Sequence, residues 1–145
     1  MPDSHASTAS RRPHLAFALA PDAHAPATAR HELAARLAGM LPPVLVDDIL
    51  LLTTELVTNG VRHSPAADSG SVEVGLFLAP TMIRVEVSDP GTGFEHVPHT
   101  PGTMAEGGRG LFLVEVLADR WGIEANDGTT VWFEVDVDDE GASEP

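Results

Sequence analysis

Thr53–Pro65 reads TTELVTNGVRHSP. It follows the apolar run Ile49–Leu52 and continues it as the second half of a helix, which Pro65 stops. Asn59 and Gly60 lie inside that helix, where each is a poor helix former. On a helix, residues i and i+4 share a face. Glu55, Asn59 and Arg62 therefore fall on one narrow polar stripe, with Asp48 behind them. Leu45, Ile49, Leu52 and Leu56 line one flank, and Val46, Leu50, Val57 and Val61 the other. A helix apolar on both flanks is pressed between a sheet and other packing, and its polar stripe then walls a groove. Periodicity alone equally allows an ordinary solvated stripe.

Outward from this helix, Ala27–Met40 has helical composition, with Leu33, Leu37 and Met40 at three- and four-residue spacing. Pro42 and Pro43 end it and start the next helix, Val44–His63. Before both, LAFALAP (Leu15–Pro21) predicts a strand. SVEVGLFL and MIRVEVSD flank Ala79-Pro80-Thr81, and Val72, Val74, Leu76, Leu78 alternate, as do Ile83, Val85 and Val87. That pattern predicts an antiparallel hairpin with one buried face. Pro90–Arg109, rich in Gly, Pro and His, is long for a plain connection and is expected to be a functional lid. GLFLVEVLADRW predicts a helix. GIEAND and TTVWFEVDV predict a second hairpin across Asp127-Gly128. Residues 1–12 are expected to be a disordered lead, 13–137 the domain, and 138–145 an acidic disordered tail. Helices grouped between antiparallel strands imply an α+β two-layer sandwich.

Composition removes several functions. The chain has 145 residues, one domain's worth, and its net charge is -14. That charge argues against nucleic acid as the main partner, since phosphate backbones favour a basic face. It allows a basic protein partner, or an anion held locally by backbone dipoles and a metal ion. All eight basic residues are arginine, which excludes the lysine-dependent P-loop. With no cysteine, thiol catalysis and cysteine–zinc sites are excluded. No apolar run reaches the length of a membrane span, and the N-terminus lacks the apolar stretch of a signal peptide. The expected compartment is the cytoplasm.

Two further segments carry chemistry. SDPGTGF sets Asp89 at a strand end, ahead of Gly91 and Gly93. EGGRGLFLVE leads Gly107, Gly108 and Gly110 directly into a helix. Glycines at a helix entrance let backbone N–H groups approach an anion, and the helix dipole favours it there. A carboxylate only accepts hydrogen bonds, so Asp89 suits the exocyclic amine of adenine and repels the carbonyl that guanine carries there. Mg²⁺ often binds through one side-chain oxygen plus phosphates, a position that suits Asn59. Glu55, one turn away, is placed to act as a general base near the terminal phosphate.

These segments, in this order, resemble the GHKL superfamily of ATPases and kinases (gyrase, Hsp90, histidine kinase and MutL type). The resemblance rests on the helical box Glu55-Leu56-Val57-Thr58-Asn59, the adenine box Asp89-Pro90-Gly91-Thr92-Gly93, the glycine box Gly107-Gly108-Arg109-Gly110-Leu111, and Gly128-Thr129-Thr130 on the last hairpin. It covers roughly residues 15 to 137. It is similar above all to the stand-alone anti-sigma-factor serine/threonine kinases, the RsbW-like regulators. The resemblance implies a mixed, mostly antiparallel sheet covered by helices on one face. It implies ATP and Mg²⁺ as cofactors, Glu55 as the catalytic base and Asn59 as the metal ligand. Nucleotide contacts fall to Asn59, Asp89, Gly91, Gly93, Gly107, Gly108, Arg109, Gly110, Leu111 and Thr130. Arg109 either reaches the terminal phosphate or points to solvent. Implied partners are a STAS-domain anti-anti-sigma factor, which is phosphorylated, a sigma factor, which is restrained, and possibly a second copy in a homodimer. No direct nucleic-acid or membrane contact is implied.

A competing reading is a non-catalytic module in which ATP creates a protein-binding surface. The retained Glu55 favours the kinase. His96 and His99 have no evident third ligand for zinc, and His96 replaces the third glycine of a dinucleotide fingerprint after Gly91 and Gly93.

Overall fold

A computed structural model describes residues 12–63, 70–89, 108–125 and 128–137. In chain order these form β1 (Leu15–Leu19), α1 (Ala25–Leu37), α2 (Pro43–His63), β2 (Val72–Ala79), β3 (Met82–Asp89), α3 (Gly108–Leu117), β4 (Arg120–Ala125) and β5 (Thr129–Asp136). The expected order of elements and the α+β architecture are both present. The expected tail falls outside the described residues, as do the lead up to residue 11 and the lid over residues 90–107; Gly108 and Arg109, expected in the lid, belong to α3.

The sheet has the order β1-β2-β3-β5-β4, and every pairing in it is antiparallel. Pro80-Thr81 joins β2 to β3 in a two-residue turn, with Ala79 opposite Met82. Side chains alternate across a strand. Val72, Val74, Leu76, Ile83, Val85, Val87, Phe133 and Val135 thus share one face and are buried. They join Leu33, Leu37, Ile49, Leu52, Leu56 and Val57 from the helices in a single core. Sheet and helices are the two layers.

α1 buries Ala25, Ala29, Leu33 and Leu37, one residue per turn. It ends earlier than the composition predicts. Gly39 takes a left-handed φ of 80°, and Met40 N–H closes back on the Leu37 carbonyl. This is a glycine-based helix stop, and it leaves Met40 half-exposed rather than in the core. α2 starts one residue before its predicted position, with the Pro42 carbonyl accepting from Leu45 and Val46. Thr54 and Thr58 donate their hydroxyls to the Leu50 and Thr54 carbonyls. Thr53 is fully buried, and its Oγ1 has no hydrogen-bond partner among the described residues.

The other sheet face departs from simple alternation of core and solvent. Arg84 is 8% exposed there. Its Nε and Nη1 donate at 2.8 Å to Glu86 and Glu134, and its guanidinium lies 4.1 Å over the Trp132 ring. Glu134 also accepts from Arg120 Nε at 2.7 Å, and Arg120 forks onto Asp136. Hydrogen bonds that Arg120 donates to Asp136 first, then to Glu134, hold its pKa above the ordinary value. Trp132 sits opposite Gly122, where a Cβ would come within 2.7 Å of ring atom Cζ2. A glycine is needed there because an aromatic ring occupies the space a side chain would take.

Two stability measurements follow from these contacts. Thr53→Val removes a buried hydroxyl while keeping its shape, and is expected to raise unfolding stability by about 1 kcal/mol in urea titration. A loss of stability would mean that the hydroxyl is paired. Gly122→Ala must displace the Trp132 ring from beneath Arg84, and is expected to cost roughly 1–3 kcal/mol in the same assay. A neutral result would mean the ring moves at no cost.

Candidate functional site

The second half of α2 crosses one end of the sheet, where β3 ends and β5 begins. Asp89 and Thr129 are cross-strand partners there. Leu56, Asn59 and Gly60 of α2 face Val87, Asp89, Thr129 and Val131 across a small recess. Three of its polar residues are buried, with Thr129 6%, Asp89 8% and Asn59 9% exposed. Burying polar groups is unfavourable unless they are hydrogen-bonded. Three such groups lining one apolar-walled recess make it the candidate site.

Gly60 shows how the helix reaches this position. A Cβ there would stand 3.5 Å from Val72 Cγ1 and 3.9 Å from the Asp89 Cβ. The helix backbone therefore rests against Asp89, with Asn59 beside it. Those distances are ordinary contacts, so space alone does not demand glycine. The polar stripe divides at this point. Asn59 is buried in the recess wall, Glu55 one turn earlier is half-buried, and Arg62 is exposed. The groove wall and the solvated stripe are thus both present, at different heights of one helix.

Gly108 begins α3, so the glycine box does lead into a helix, and α3 packs beside α2. The first turn of α3 contains Gly108, Arg109, Gly110 and Leu111. Gly91, Gly93 and Gly107 lie outside the described residues.

Thr130 does not line the recess: its hydroxyl meets that of Ser88 at 2.8 Å on the opposite face of the sheet. Thr129 lines it, directly across from Asp89. Strand alternation accounts for the difference. Phe133 and Val135 are buried on the core face, and two-residue alternation puts Val131 and Thr129 on the same side, with Thr130 reversed.

The donor set fits an adenine nucleotide with a magnesium ion. Leu56, Val87 and Val131 are the apolar lining of the recess, and the Asp89 carboxylate beside them is a hydrogen-bond acceptor of the kind an adenine amine would need. Among the described residues no three His, Asp or Glu side chains gather to hold a metal. Asn59 is an oxygen donor of the kind Mg²⁺ accepts when phosphates complete its shell.

Comparison with known proteins bears on the family. The histidine kinase-like ATPase domain family matches residues 18–141. Similar proteins include the serine-protein kinase RsbW of Bacillus pumilus (strain SAFR-032), 29% identical over 100 residues, 59% of this chain and 62% of that protein. RsbW of Listeria monocytogenes serotype 4a (strain HCC23) is 33% identical over 98 residues, 59% of this chain and 62% of its own. RsbW of Bacillus licheniformis is 31% identical over 98 residues, 59% of this chain and 61% of its own. The chain thus spans about three-fifths of the length of these relatives. The GHKL, RsbW-like resemblance read from the sequence boxes is borne out, and the chain belongs to the histidine kinase-like ATPase domain family.

Proposed function

We propose that this chain binds ATP with Mg²⁺ and phosphorylates a serine or threonine of a STAS-type anti-anti-sigma protein, thereby controlling the availability of a sigma factor. The observation that carries this reading is the buried meeting of Asn59, Asp89 and Thr129 at the sheet end. The likeness to serine-protein kinases named RsbW supports the reaction class.

Asp89 accepts the adenine amine, and Thr129, its cross-strand neighbour, offers a hydroxyl at the same edge. Leu56 and Val87 exclude water from the ring. Asn59 Oδ1 would hold the Mg²⁺ ion, which would supply charge neutralisation at the phosphates. Glu55 orients the attacking hydroxyl. The hydroxyl oxygen bonds to the γ-phosphorus as the bond from that phosphorus to the bridging oxygen breaks. ADP leaves with the bond electrons, and the hydroxyl proton passes to the Glu55 carboxylate. The backbone of Gly91, Gly93, Gly107, Gly108 and Gly110 shapes the phosphate loops, with Arg109 and Leu111 beside them. A sigma factor, and a second copy in a homodimer, complete the proposed set of partners. The cytoplasm is the proposed location.

Asp89→Ala removes a charge-assisted acceptor. It is expected to weaken ATP by about tenfold to a hundredfold and to erase the preference over GTP in calorimetry. Equal ATP and GTP affinity in the parent would overturn the adenine assignment. Glu55→Gln keeps size and removes charge. Its nucleotide affinity is expected to stay near the parent's, while single-turnover phosphorylation falls roughly a hundredfold to ten-thousandfold. A parental rate would remove Glu55 as the base. A parent that binds ATP and partner but never transfers phosphate would make the chain a binding module.

A further inference from the structure

Val44 and Leu51 are large apolar side chains on α2 that remain exposed, at 71% and 39%. They are two helical turns apart, so they share a face. Glu55 follows Leu51 by one turn and is half-buried beside that face. Ile49, Thr53 and Val57, on the far side of the helix, are fully buried. Asp47, exposed, and Asp48, half-buried, flank the Val44–Leu51 row. The arginine of this helix, Arg62, lies beyond Glu55 toward the C-terminus. Met40, in the turn that leads into α2, is exposed as well. An apolar, acidic-edged ridge therefore runs along the solvent side of the helix and ends at Glu55.

We infer that this ridge is the docking surface for the protein substrate, and that it takes a partner face with an apolar groove edged by arginine or lysine. The inference rests on the kinase reading above and names where that substrate sits. Glu55 stands at the end of this ridge, so a folded protein laid along the exposed side of α2 brings a surface hydroxyl toward it. Val44 and Leu51 supply desolvated contact, while Asp47 and Asp48 attract and orient a basic edge. A second copy of this chain is disfavoured as the occupant. The chain carries a net charge of -14, and two copies of the ridge would bring Asp47 and Asp48 against their own kind.

The test uses the full chain and purified STAS-domain proteins of the source genome as probes, with Mg-ATP present. For the tightest-binding probe, Val44→Ala combined with Leu51→Ala is expected to weaken affinity about tenfold. Asp47→Lys is expected to weaken it about fivefold and to flatten its dependence on salt. Val116→Ala, an exposed apolar position on α3, is expected to stay within about twofold. ATP affinity is expected to be unchanged in all three. At saturating probe, the double variant is expected to transfer phosphate at the parental rate, so KM rises and kcat holds. Equal probe affinity in the parent and the double variant overturns the docking surface and leaves the kinase reading standing. Failure of the parent to bind ATP overturns the kinase reading instead, and a tenfold loss of probe binding in the double variant still upholds the surface. If no STAS-domain probe binds the parent, the docking inference is overturned.

Discussion

The packing of α2 against the sheet is the constraint on which the rest depends. Ile49, Leu52 and Val57 are fully buried along it, and Leu56 nearly so. Each such side chain contributes roughly 1.5–3 kcal/mol on leaving water. That apolar contact fixes the rotation of the helix about its axis. Once the rotation is fixed, Asn59 and Gly60 are brought to Asp89 at the sheet end, with Leu56 one turn earlier on the same side. The recess is thus a by-product of core packing, and its polar groups are held by a rigid scaffold rather than by loops.

The same constraint separates two roles on one helix. Asn59 lines the recess, while Glu55, one turn earlier, is half-buried outside that lining. A helix rotates side chains by about 100° per residue, so positions four apart diverge by about 40°. That small divergence is enough to put one residue in the wall of the recess and to leave the other more open to solvent. The proposed phosphoryl transfer would use this division: one group held dry, the other able to meet an incoming hydroxyl.

Much of this was legible in the sequence. Alternation in β2 and β3 and the prolines around α2 fix the hairpin and helix to within a residue or two. Asn59 and Asp89 were legible as chemistry, because a polar residue inside an apolar helix and a carboxylate at a strand end need a reason. A Gly-Thr-Thr run offers two hydroxyls, and it takes the alternation back from the buried Phe133 and Val135 to show that Thr129 is the one on the recess side. The early end of α1 was missed because Ala38-Gly39-Met40 keeps helical spacing, while the left-handed turn at Gly39 does not show in periodicity. The buried state of Arg84 was also hidden. Its partners Glu134 and Trp132 lie about fifty residues further along the chain, and only the β3–β5 pairing brings them to it.

The outer-face cluster has a consequence for how this chain tolerates change. Glu134 joins Arg84 to Arg120, Trp132 fills the space over Gly122, and Arg84 covers Trp132. Remove Glu134 and two guanidinium groups lose the anion between them. Enlarge Gly122 and the ring that Arg84 rests on must shift. Effects at such neighbouring positions do not add. These residues, drawn from three strands, are therefore bound to drift as one block: a substitution at one of them becomes acceptable only after another has changed. Sequences of this fold that lack one member of the set should lack several, and a graft of β5 from a relative would need its own β3 and β4 with it.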